Sequence, residues 1–359
     1  MDLPVMPPVL PMLAKPQAKV PTSGGIAFEP KWDGFRCLVF RDGEEIELAS
    51  RTAKSLTRYF PELVESLRTA LPTRCVVDGE LFVAFQDRLE FELLQQRIHP
   101  AASRVQKLAV ELPASFVAFD LLALDTVDCM ALPFRERRAA LAGVLSDLSP
   151  TGQVHLARTT EDPAEAERWF REFEGAGFDG VVGKPLDAPY APNQRTMIKV
   201  KHARTADVVV AGMRPHKTST DERPLLGSLL LGLYDAGGLQ HVGVCATFTD
   251  ARRAELWAEL SELEVPIEGH PWSFMGEGAI ANPDRVPGTQ SRWSGGKDLS
   301  FVPLAPTRVV EVGYDHMEGR RFRHTTQFKR WRPDRDPTSC DYDQLETVTA
   351  FDLSTVFEE

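Results

Sequence analysis

Short runs of β-branched and aromatic residues, each bounded by Gly, Pro or charged residues, recur through the first two hundred positions of the chain. Runs of this kind predict β-strands. Residues 41–44, Arg-Asp-Gly-Glu, have the composition of a hairpin turn and separate two of the runs. The predicted strands are Ile26–Glu29, Cys37–Arg41, Glu45–Ala49, Cys75–Phe85, Ser115–Leu124, Val181–Lys184 and Thr196–Lys201.

Longer amphipathic segments lie between these strands and predict three helices, Pro61–Ala70, Phe134–Ser146 and Pro163–Gly175. The third helix has suitable residues at both ends, because Asp162 can cap its first turn and Pro163 fits its first position. Helices combined with hairpins in one segment are typical of an α+β fold with antiparallel sheets.

After His202 the pattern becomes rich in strands and turns. A strand-rich segment of roughly 150 residues has the size of a small β-barrel domain. We therefore predict two domains, 1–203 and 204–359, with the C-terminal tail as part of the second. The predicted elements of the second domain are the strands Ala206–Met213, Leu226–Tyr234, Gly238–Ala246 and Thr307–Tyr314 and the helix Asp250–Leu263.

The composition is that of a globular protein, with 43% hydrophobic and 26% charged residues over 359 positions. This excludes a disordered chain and a small disulfide-stabilised scaffold. The sequence has no run of about 18 apolar residues that would span a membrane and no N-terminal signal pattern. Its five cysteines are scattered without a CxxC pair, which is typical of reduced thiols, so we expect a cytoplasmic protein.

The formal net charge of −11 argues against a nucleic-acid partner, but the charge is unevenly distributed. Residues 336–359 contain seven acids and no Lys or Arg, whereas residues 308–335 contain eight Lys or Arg and four acids. Local rather than global charge decides whether a surface attracts phosphate. The charge therefore leaves nucleic acid open as a partner.

Four clusters of charged residues lie within or beside predicted strands of the first domain: Glu29–Arg36, Val76–Phe82, Phe178–Lys184 and Met197–Lys201. Each one alone is compatible with a strand that has a solvated face. Together they supply carboxylates, which can bind Mg²⁺, and lysines, which can bind phosphates or, with a lowered pKa, attack phosphorus. The pattern GxxxxGK[ST] is absent, so the sequence does not support Walker-type ATP hydrolysis.

The segment Lys31–Arg36, Lys-Trp-Asp-Gly-Phe-Arg, resembles the KxDGxR nucleotide-attachment motif of the covalent nucleotidyltransferases, which include DNA ligases, RNA ligases and capping enzymes. The C-terminal segment Arg321–Arg335 is similar to the ending of bacterial ATP-dependent DNA ligases, especially the short accessory C-type enzymes and the ligase module of end-joining enzymes. The clusters between these segments follow in the family's order, as Asp78–Glu80, Phe116–Leu122, Asp179–Lys184 and Lys199–Lys201.

This resemblance implies an adenylation domain followed by an OB-fold barrel, and a monomer that uses ATP to seal nicked double-stranded DNA, in DNA repair. It implies that Lys31 is the nucleophile that forms lysyl-AMP, with Asp33, Lys199 and Lys201 as further catalytic residues. Glu80 and Asp179 would bind Mg²⁺ or Mn²⁺, and Arg51, Arg321 and Arg323 would contact DNA. The implied nucleotide-binding residues are Glu29, Lys31, Arg36, Glu80, Phe119, Lys184, Lys199, Arg330 and Arg332.

Two positions depart from the family pattern. Asp179 stands where the family has glutamate, and Arg335 stands where it has lysine. Because both residues keep the charge, we expect activity to survive both differences. From the residues alone, Phe119 is either a ring that stacks on adenine or a core aromatic, and Arg51 is either a DNA contact or a surface arginine.

The sequence also admits other functions. A GTP-dependent RNA-capping guanylyltransferase and an RNA ligase share the same lysine chemistry. A DNA-end binding module with a decayed nucleotide site is the non-enzymatic alternative. The retention of Lys31, Asp33, Glu80 and Lys199 argues against such decay.

Overall fold

The computed structural model describes residues 1–149, 151–273 and 300–357 and divides into two compact units. The first unit contains Met1–Lys201 and the C-terminal residues from Val348 onward, and the second contains His202–Thr347. This division differs from the predicted one at the C-terminal tail, which we expected in the second domain. The tail belongs to the first unit because its apolar residues Leu353 and Val356 are buried in that unit's core.

The predicted strands and helices of the first unit are present, except that the predicted strand Cys75–Phe85 is divided into two strands that belong to different sheets. The side chain of Asp162 caps a helix by accepting a hydrogen bond from the N–H of Ala164 at 2.9 Å. The strands are β1 Leu13–Gln17, β2 Ile26–Pro30, β3 Phe35–Asp42, β4 Glu45–Ser50, β5 Arg74–Phe82, β6 Ala84–Phe85, β7 Arg88–Leu89, β8 Ser115–Leu124, β9 Val127–Asp128, β10 Val154–Leu156, β11 Gly180–Pro185 and β12 Arg195–Lys201. The helices are α1 Pro61–Ala70, α2 Phe91–Gln96, α3 Ala102–Glu111, α4 Phe134–Val144 and α5 Pro163–Glu172.

Two sheets form the frame of the first unit. One has the strand order β1-β12-β11-β2, and the other has the order β10-β8-β5-β3-β4, with β9 beside β8. Most pairs are antiparallel, as predicted, but β1 pairs with β12 and β10 pairs with β8 in parallel. The chain crosses from the first sheet to the second over residues 31–34. Gly34 fits this crossing because a Cβ there would lie 1.9 Å from the carbonyl oxygen of Leu81.

Alternating side chains of β3 enter two different cores, as the two-residue period of a strand requires. Val39 packs in a cluster that includes Leu63 of α1, whereas Phe40 packs in a cluster that includes Leu3 near the N-terminus. Because both faces of β3 are buried, a slip of one residue in its pairing would move each side chain into the core on the opposite face, and this fixes the register that follows Lys31.

The second unit is built on an antiparallel sheet with the strand order β15-β14-β13-β16-β19. Cys245, the last residue of β15, forms a bridge with Thr326, immediately before β19, so the two edge strands approach each other and the sheet curls towards a barrel. The bounds are β13 Arg204–Pro215, β14 Leu226–Asp235, β15 Gly238–Cys245, α6 Asp250–Ser261, β16 Val302–Tyr314, β17 Met317–Glu318, β18 Arg321–Phe322 and β19 Gln327–Trp331.

The C-terminal segment of the first unit ends in the short helix α7 Ser354–Phe357. Glu358 and Glu359, which contribute to the acidic tail in the sequence, lie outside the described residues. The five cysteines, all within the described ranges, are buried free thiols. Among the described residues, no helix is long and apolar enough to cross a lipid bilayer.

Candidate functional site

A cavity of about 640 Å³ opens in the first unit, at the crossing between β2 and β3. This volume lies within the range of about 300–1,000 Å³ that is typical of small-molecule sites. The walls come from strands of both sheets. The first-unit residues predicted to bind the nucleotide all line the cavity, as does Arg51: Glu29, Lys31, Arg36, Glu80, Phe119, Lys184 and Lys199.

Lys31 is held by both its backbone and its side chain. Its N–H donates to the carbonyl oxygen of Gly180 at 2.8 Å, and its own carbonyl oxygen accepts from the N–H of Asp179 at 3.0 Å. Its Nζ lies 2.5 Å from Oδ2 of Asp179, and the Nζ of Lys201 lies 3.2 Å from the same oxygen. The amine is therefore fixed at the cavity wall, with its side chain only 20% exposed.

The cavity has a strongly positive wall. Lys199 on β12 lines it, and the pKa of Lys199 is lowered by burial and by the charges of four nearby cations: Lys31, Lys201, Arg51 and Arg195. A lowered lysine pKa of this origin indicates uncompensated positive charge. A bound polyanion such as a triphosphate would relieve the repulsion between these groups.

Arg36 is oriented by a buried chain of hydrogen bonds. Its Nε and Nη2 donate to the two carboxylate oxygens of Asp78, each at 2.6 Å, and the hydroxyl of Tyr190 donates to the same carboxylate at 2.6 Å. Burial acts to lower the pKa of Arg36, but the charge and hydrogen bonds of Asp78, together with smaller contributions from Tyr190 and Glu80, outweigh it and the pKa is raised. Arg36 is therefore a permanent cation in the cavity wall, with its geometry fixed in advance.

Phe119 combines a core position with a place in the cavity wall. It is 6% exposed and packs in a core cluster that includes Trp32, and it also lines the cavity. The guanidinium of Arg36 and the ammonium of Lys184 each lie 4.4 Å from the centroid of its ring. Two cations therefore fix the ring in place through cation–π contacts.

Glu29 carries a buried oxygen without a partner. Its Oε2 pairs with the Nζ of Lys184 at 2.8 Å, and that Nζ also donates to the carbonyl oxygen of Phe119 at 3.1 Å. Oε1 of Glu29 is buried and has no hydrogen-bond partner among the described residues. Burial raises the pKa of Glu29, although Lys184 opposes this shift. A buried acceptor without a partner is costly, so the site is prepared for a donor from a ligand.

Glu80 is the carboxylate best suited to a metal ion. It pairs across the strands with Arg36, and burial raises its pKa to about 7 in spite of the charges of Arg36 and Lys31. The charge of Asp33 contributes to this rise, which shows that Asp33 lies near Glu80, although it does not line the cavity. Asp179, the other predicted metal ligand, instead contacts two lysine ammonium groups.

No cluster of three or more His, Cys, Asp or Glu side chains suited to a metal ion occurs among the described residues. Mg²⁺ that enters with a nucleotide needs only one or two carboxylates, because phosphate oxygens and water supply the other ligands. Glu80, which lines the cavity and whose carboxylate makes no hydrogen bond or ion pair within the described ranges, fits such an ion.

The remaining predicted residues, Arg321, Arg323, Arg330 and Arg332, lie in the second unit. Arg330 and Arg332 pair with nearby acids. Arg330 on β19 pairs with Glu311 at 2.7 Å. Arg332 pairs with Asp207 and Asp334, each at 2.8 Å. Two of the three predicted DNA contacts lie in this unit, Arg321 in β18 and Arg323 nearby. The Nη1 of Arg323 is 3.1 Å from Nε2 of His316.

Arg195 lines the cavity but was not among the predicted residues. It is the first residue of β12, and the two-residue period of the strand places it on the same face as Met197, Lys199 and Lys201. The predicted strand began at Thr196, one position too late to include it. Extending the alternation by one residue would have identified Arg195 as a further cation of this face.

Comparison with known proteins gives matches over nearly the whole chain. The family model "ATP dependent DNA ligase domain" matches residues 11–201, and the model "ATP dependent DNA ligase C terminal region" matches residues 222–335. The chain is 57% identical to DNA ligase C2 of Mycolicibacterium smegmatis over 350 residues, which cover 97% of each chain. It is 54% identical to DNA ligase C of Mycobacterium tuberculosis over 363 residues, which cover 99% of each chain.

The fold agrees with these matches. A solved structure from a study of Lig E DNA ligases covers 91% of this chain and 100% of its own, with a TM-score of 0.56 and 16% sequence identity. The two units described above are the adenylation domain and the OB-fold domain expected from the sequence. With a family model over more than half of its length and full-length relatives above 50% identity, this chain belongs to the ATP-dependent DNA ligases of the C type, which seal nicks in DNA.

Proposed function

We propose that the cavity is the ATP site and that Lys31 carries AMP during nick sealing. In the first step, Nζ of Lys31 attacks the α-phosphorus of ATP, a nitrogen–phosphorus bond forms, and the bond to the pyrophosphate oxygen breaks. AMP then passes to the 5′-phosphate at a nick, and the adjacent 3′-hydroxyl displaces it. The observation that carries this proposal is the Nζ of Lys31, held 2.5 Å from Asp179 in a cation-lined cavity.

Asp179 prepares the amine for attack. An ammonium group has no free electron pair, so Lys31 must lose a proton before it can bond to phosphorus. Asp179 accepts a hydrogen bond from this Nζ and is placed to take that proton. Before this transfer, Lys201, which contacts the same carboxylate, balances the charge that Asp179 has in its ionised form.

Lys199 and Arg195 bind the phosphates of ATP, and Arg51 adds to the positive charge of the same wall. Phosphoryl transfer depends mainly on positioning and on cations that stabilise the leaving charge. The mutual repulsion that lowers the pKa of Lys199 supports this role, because the cations are assembled before any anion is bound. Arg330 and Arg332 of the second unit are the further candidates for contact with pyrophosphate.

Glu29 selects ATP over GTP. The partnerless Oε1 of its carboxylate can accept a hydrogen bond from the 6-amino group of adenine, whereas the 6-oxo group of guanine would repel it. Phe119 contributes the aromatic surface of the base site. This arrangement favours a ligase over a GTP-dependent capping enzyme, which shares the lysine chemistry.

Glu80 holds Mg²⁺ or Mn²⁺ that enters with ATP, and Arg36 contacts the ribose. The ion supplies charge neutralisation on the phosphates when it is bound. In the absence of the ion, burial keeps the pKa of Glu80 near 7, and a bound cation would lower that pKa. Asp179 remains with Lys31 and Lys201.

The DNA partner is bound through arginines. We assign Arg51, Arg321 and Arg323 to the phosphates of nicked duplex, with the chain acting as a monomer in DNA repair. Contacts of this kind make binding depend steeply on salt, since each neutralised phosphate releases counterions. A variant that loses one such contact should show a smaller salt dependence of nick binding.

The test uses ATP labelled in the α-phosphate, with Mg²⁺ or Mn²⁺, on the wild type and on Lys31→Ala. Lys107→Ala, which changes a lysine whose side chain is 60% exposed on α3, is the matched control. The wild type and the control should take up label, and Lys31→Ala should take up none while still sealing a nick that is already adenylylated. Label from GTP instead of ATP would favour the capping enzyme, and nick binding without any label would favour the DNA-end binding module.

A further inference from the structure

The C-terminal segment Phe351–Phe357 packs into the first unit and contacts Trp32, the residue that follows Lys31. The segment follows the last residue matched by either family model. Leu353 and Val356 are 3% and 1% exposed, and the N–H of Leu353 donates to the carbonyl oxygen of Asp87 at 2.9 Å. The segment is therefore an integral part of the core of the adenylation domain.

Phe357, in α7, packs against the ring of Trp32, the residue that follows Lys31. The two ring centroids are 5.6 Å apart, and the ring of Phe357 also lies 4.2 Å from that of His155 and 6.2 Å from that of Phe82. Burial lowers the pKa of His155 to about 4, so the imidazole is neutral near pH 7 and the cluster is apolar.

The ring of Trp32 has no hydrogen bond to orient it. Its Nε1 is buried and has no partner among the described residues. Packing rather than a hydrogen bond therefore orients the indole, and its ring contacts are with Phe82, Phe178 and Phe357. Loss of one of the three would leave a gap that the indole can turn into.

The orientation of Trp32 bears on the reacting pair. The ring of Trp32 contacts the ring of Phe178 at 4.7 Å, edge to face. Trp32 follows Lys31 in the chain, and Phe178 precedes Asp179, so one aromatic contact lies beside each member of the Lys31–Asp179 pair. Phe351 supports the same arrangement through Phe173, which in turn contacts Phe178.

We propose that Phe357 is a positioning residue for Lys31, and that the C-terminal segment Phe351–Phe357 holds the Lys31–Asp179 pair in its reactive geometry through Trp32 and Phe178. This proposal rests on the proposed role of Lys31. It extends the active site of the adenylation domain to the opposite end of the chain.

Gly175 allows the hypothesis to be tested without changing the segment itself. A Cβ at Gly175 would lie 2.0 Å from the carbonyl oxygen of Thr349 and 2.6 Å from the backbone nitrogen of Phe351. Gly175→Ala therefore displaces the segment while leaving the identity of every aromatic and every catalytic residue unchanged. Gly143→Ala is the matched control, since a Cβ at Gly143 in α4 meets nothing within 4 Å.

The experiment compares two reactions of each variant. One is lysyl-AMP formation, measured under single-turnover conditions over a range of ATP concentrations. The other is sealing of a nick that already carries AMP, which does not use Lys31 as nucleophile. The variants are Phe357→Ala, Phe357→Tyr, Phe357→Leu, Gly175→Ala, Gly143→Ala, Val144→Ala and Lys31→Ala. Val144, partly buried in α4, packs against a different core cluster and controls for a general loss of packing.

We expect Phe357→Ala and Gly175→Ala to reduce the maximal rate of lysyl-AMP formation about 10- to 100-fold, the range expected when a reacting group is misplaced by about 1 Å. The ATP concentration at half-maximal rate and the sealing of the adenylylated nick should change less than about twofold. Phe357→Tyr should restore the rate, and Gly143→Ala and Val144→Ala should resemble the wild type.

Wild-type rates of lysyl-AMP formation in Phe357→Ala and Gly175→Ala would overturn the proposal, and so would an equal reduction of both reactions, which indicates a structural role only. If Phe357→Ala does not fold, Phe357→Leu takes its place and is judged by the same outcomes. Failure of the proposed role of Lys31 can be told apart from failure of this proposal, because Lys31→Ala would then still form a covalent AMP adduct.

Discussion

Lys31 and Asp179 are joined twice, through their side chains at 2.5 Å and through the hydrogen bond from the N–H of Asp179 to the carbonyl oxygen of Lys31 at 3.0 Å. The two residues are far apart in the sequence, and the antiparallel pairing of β2 with β11 brings them together. Because the two residues are joined through both backbone and side chain, the carboxylate of Asp179 is held close to the Nζ of Lys31.

Asp179→Asn should therefore slow lysyl-AMP formation about 100-fold or more, because it keeps the shape of the side chain but cannot take a proton from Lys31. The rate is measured with α-labelled ATP at saturating concentration. Asp187→Asn is the matched control, since Asp187 follows β11 and its side chain is 78% exposed. A rate for Asp179→Asn within threefold of the wild type would contradict the role of Asp179 as the group that takes the proton from Lys31.

Glu29→Gln should weaken the preference for ATP over GTP. An amide in place of the carboxylate can offer its NH₂ group to the base, and loss of a hydrogen bond to a charged group costs about 1.5–3 kcal/mol, or roughly 10- to 100-fold. The ratio of the two adduct-forming rates measures the effect. Glu65→Gln, on the exposed face of α1, should leave the ratio unchanged. An unaltered ratio in Glu29→Gln would contradict the assigned base contact.

Glu80→Gln should change how stability depends on pH. Burial raises the pKa of Glu80 from its ordinary value of 4.5 to about 7, so between these values the folded state holds a proton that the unfolded chain releases. This group therefore makes the free energy of unfolding fall as the pH rises from about 4.5 to about 7. The variant lacks this effect, and its stability relative to the wild type should increase by up to about 3 kcal/mol between pH 5 and pH 8.

Urea denaturation of the apo protein at the two pH values measures this difference. Glu111→Gln, a change at a glutamate whose side chain is 53% exposed, provides the comparison and should show the same relative stability at both. A relative stability of Glu80→Gln that stays constant between pH 5 and pH 8 would show that burial does not raise the pKa of Glu80.

Tyr190→Phe should weaken ATP binding through Arg36. The variant removes the hydroxyl that donates to Asp78 at 2.6 Å, and it leaves a buried carboxylate with one partner fewer. The loss should cost about 1–3 kcal/mol of stability, and Arg36 should hold ATP less well, because Asp78 is the group that orients it. ATP titration in the Lys31→Ala background measures the affinity. An affinity equal to that of Lys31→Ala alone would contradict the role of Tyr190 in orienting Arg36 through Asp78.

Most strands of the first unit and seven residues of its cavity wall could be predicted from the sequence, because alternation and short motifs are local signals. Ser115–Leu124 is a strand with the predicted bounds. The sequence did not predict β1, which contains Pro16 and is largely exposed. This strand forms through its parallel pairing with β12. Such a partner, nearly two hundred residues away, leaves no pattern in the strand itself.

The placement of the C-terminal tail could not be predicted for the same reason. The tail is acidic, and acidic tails are typically solvated. Its residues Phe357 and Phe351 contact Trp32 and Phe173, which are distant in the sequence. The α3 helix, by contrast, was missed although its signal is present, since Val105, Leu108 and Ala109 have the spacing of one helical face.

The most direct test of the account is to find the residue that carries AMP. The full-length protein is incubated with ATP and Mg²⁺, digested, and its peptides are sequenced by mass spectrometry under conditions that preserve a phosphoramidate. We predict a single adduct with the mass of one AMP, on Nζ of Lys31, that disappears when nicked DNA is added. An adduct on any other residue, or its absence with both Mg²⁺ and Mn²⁺, would contradict the account.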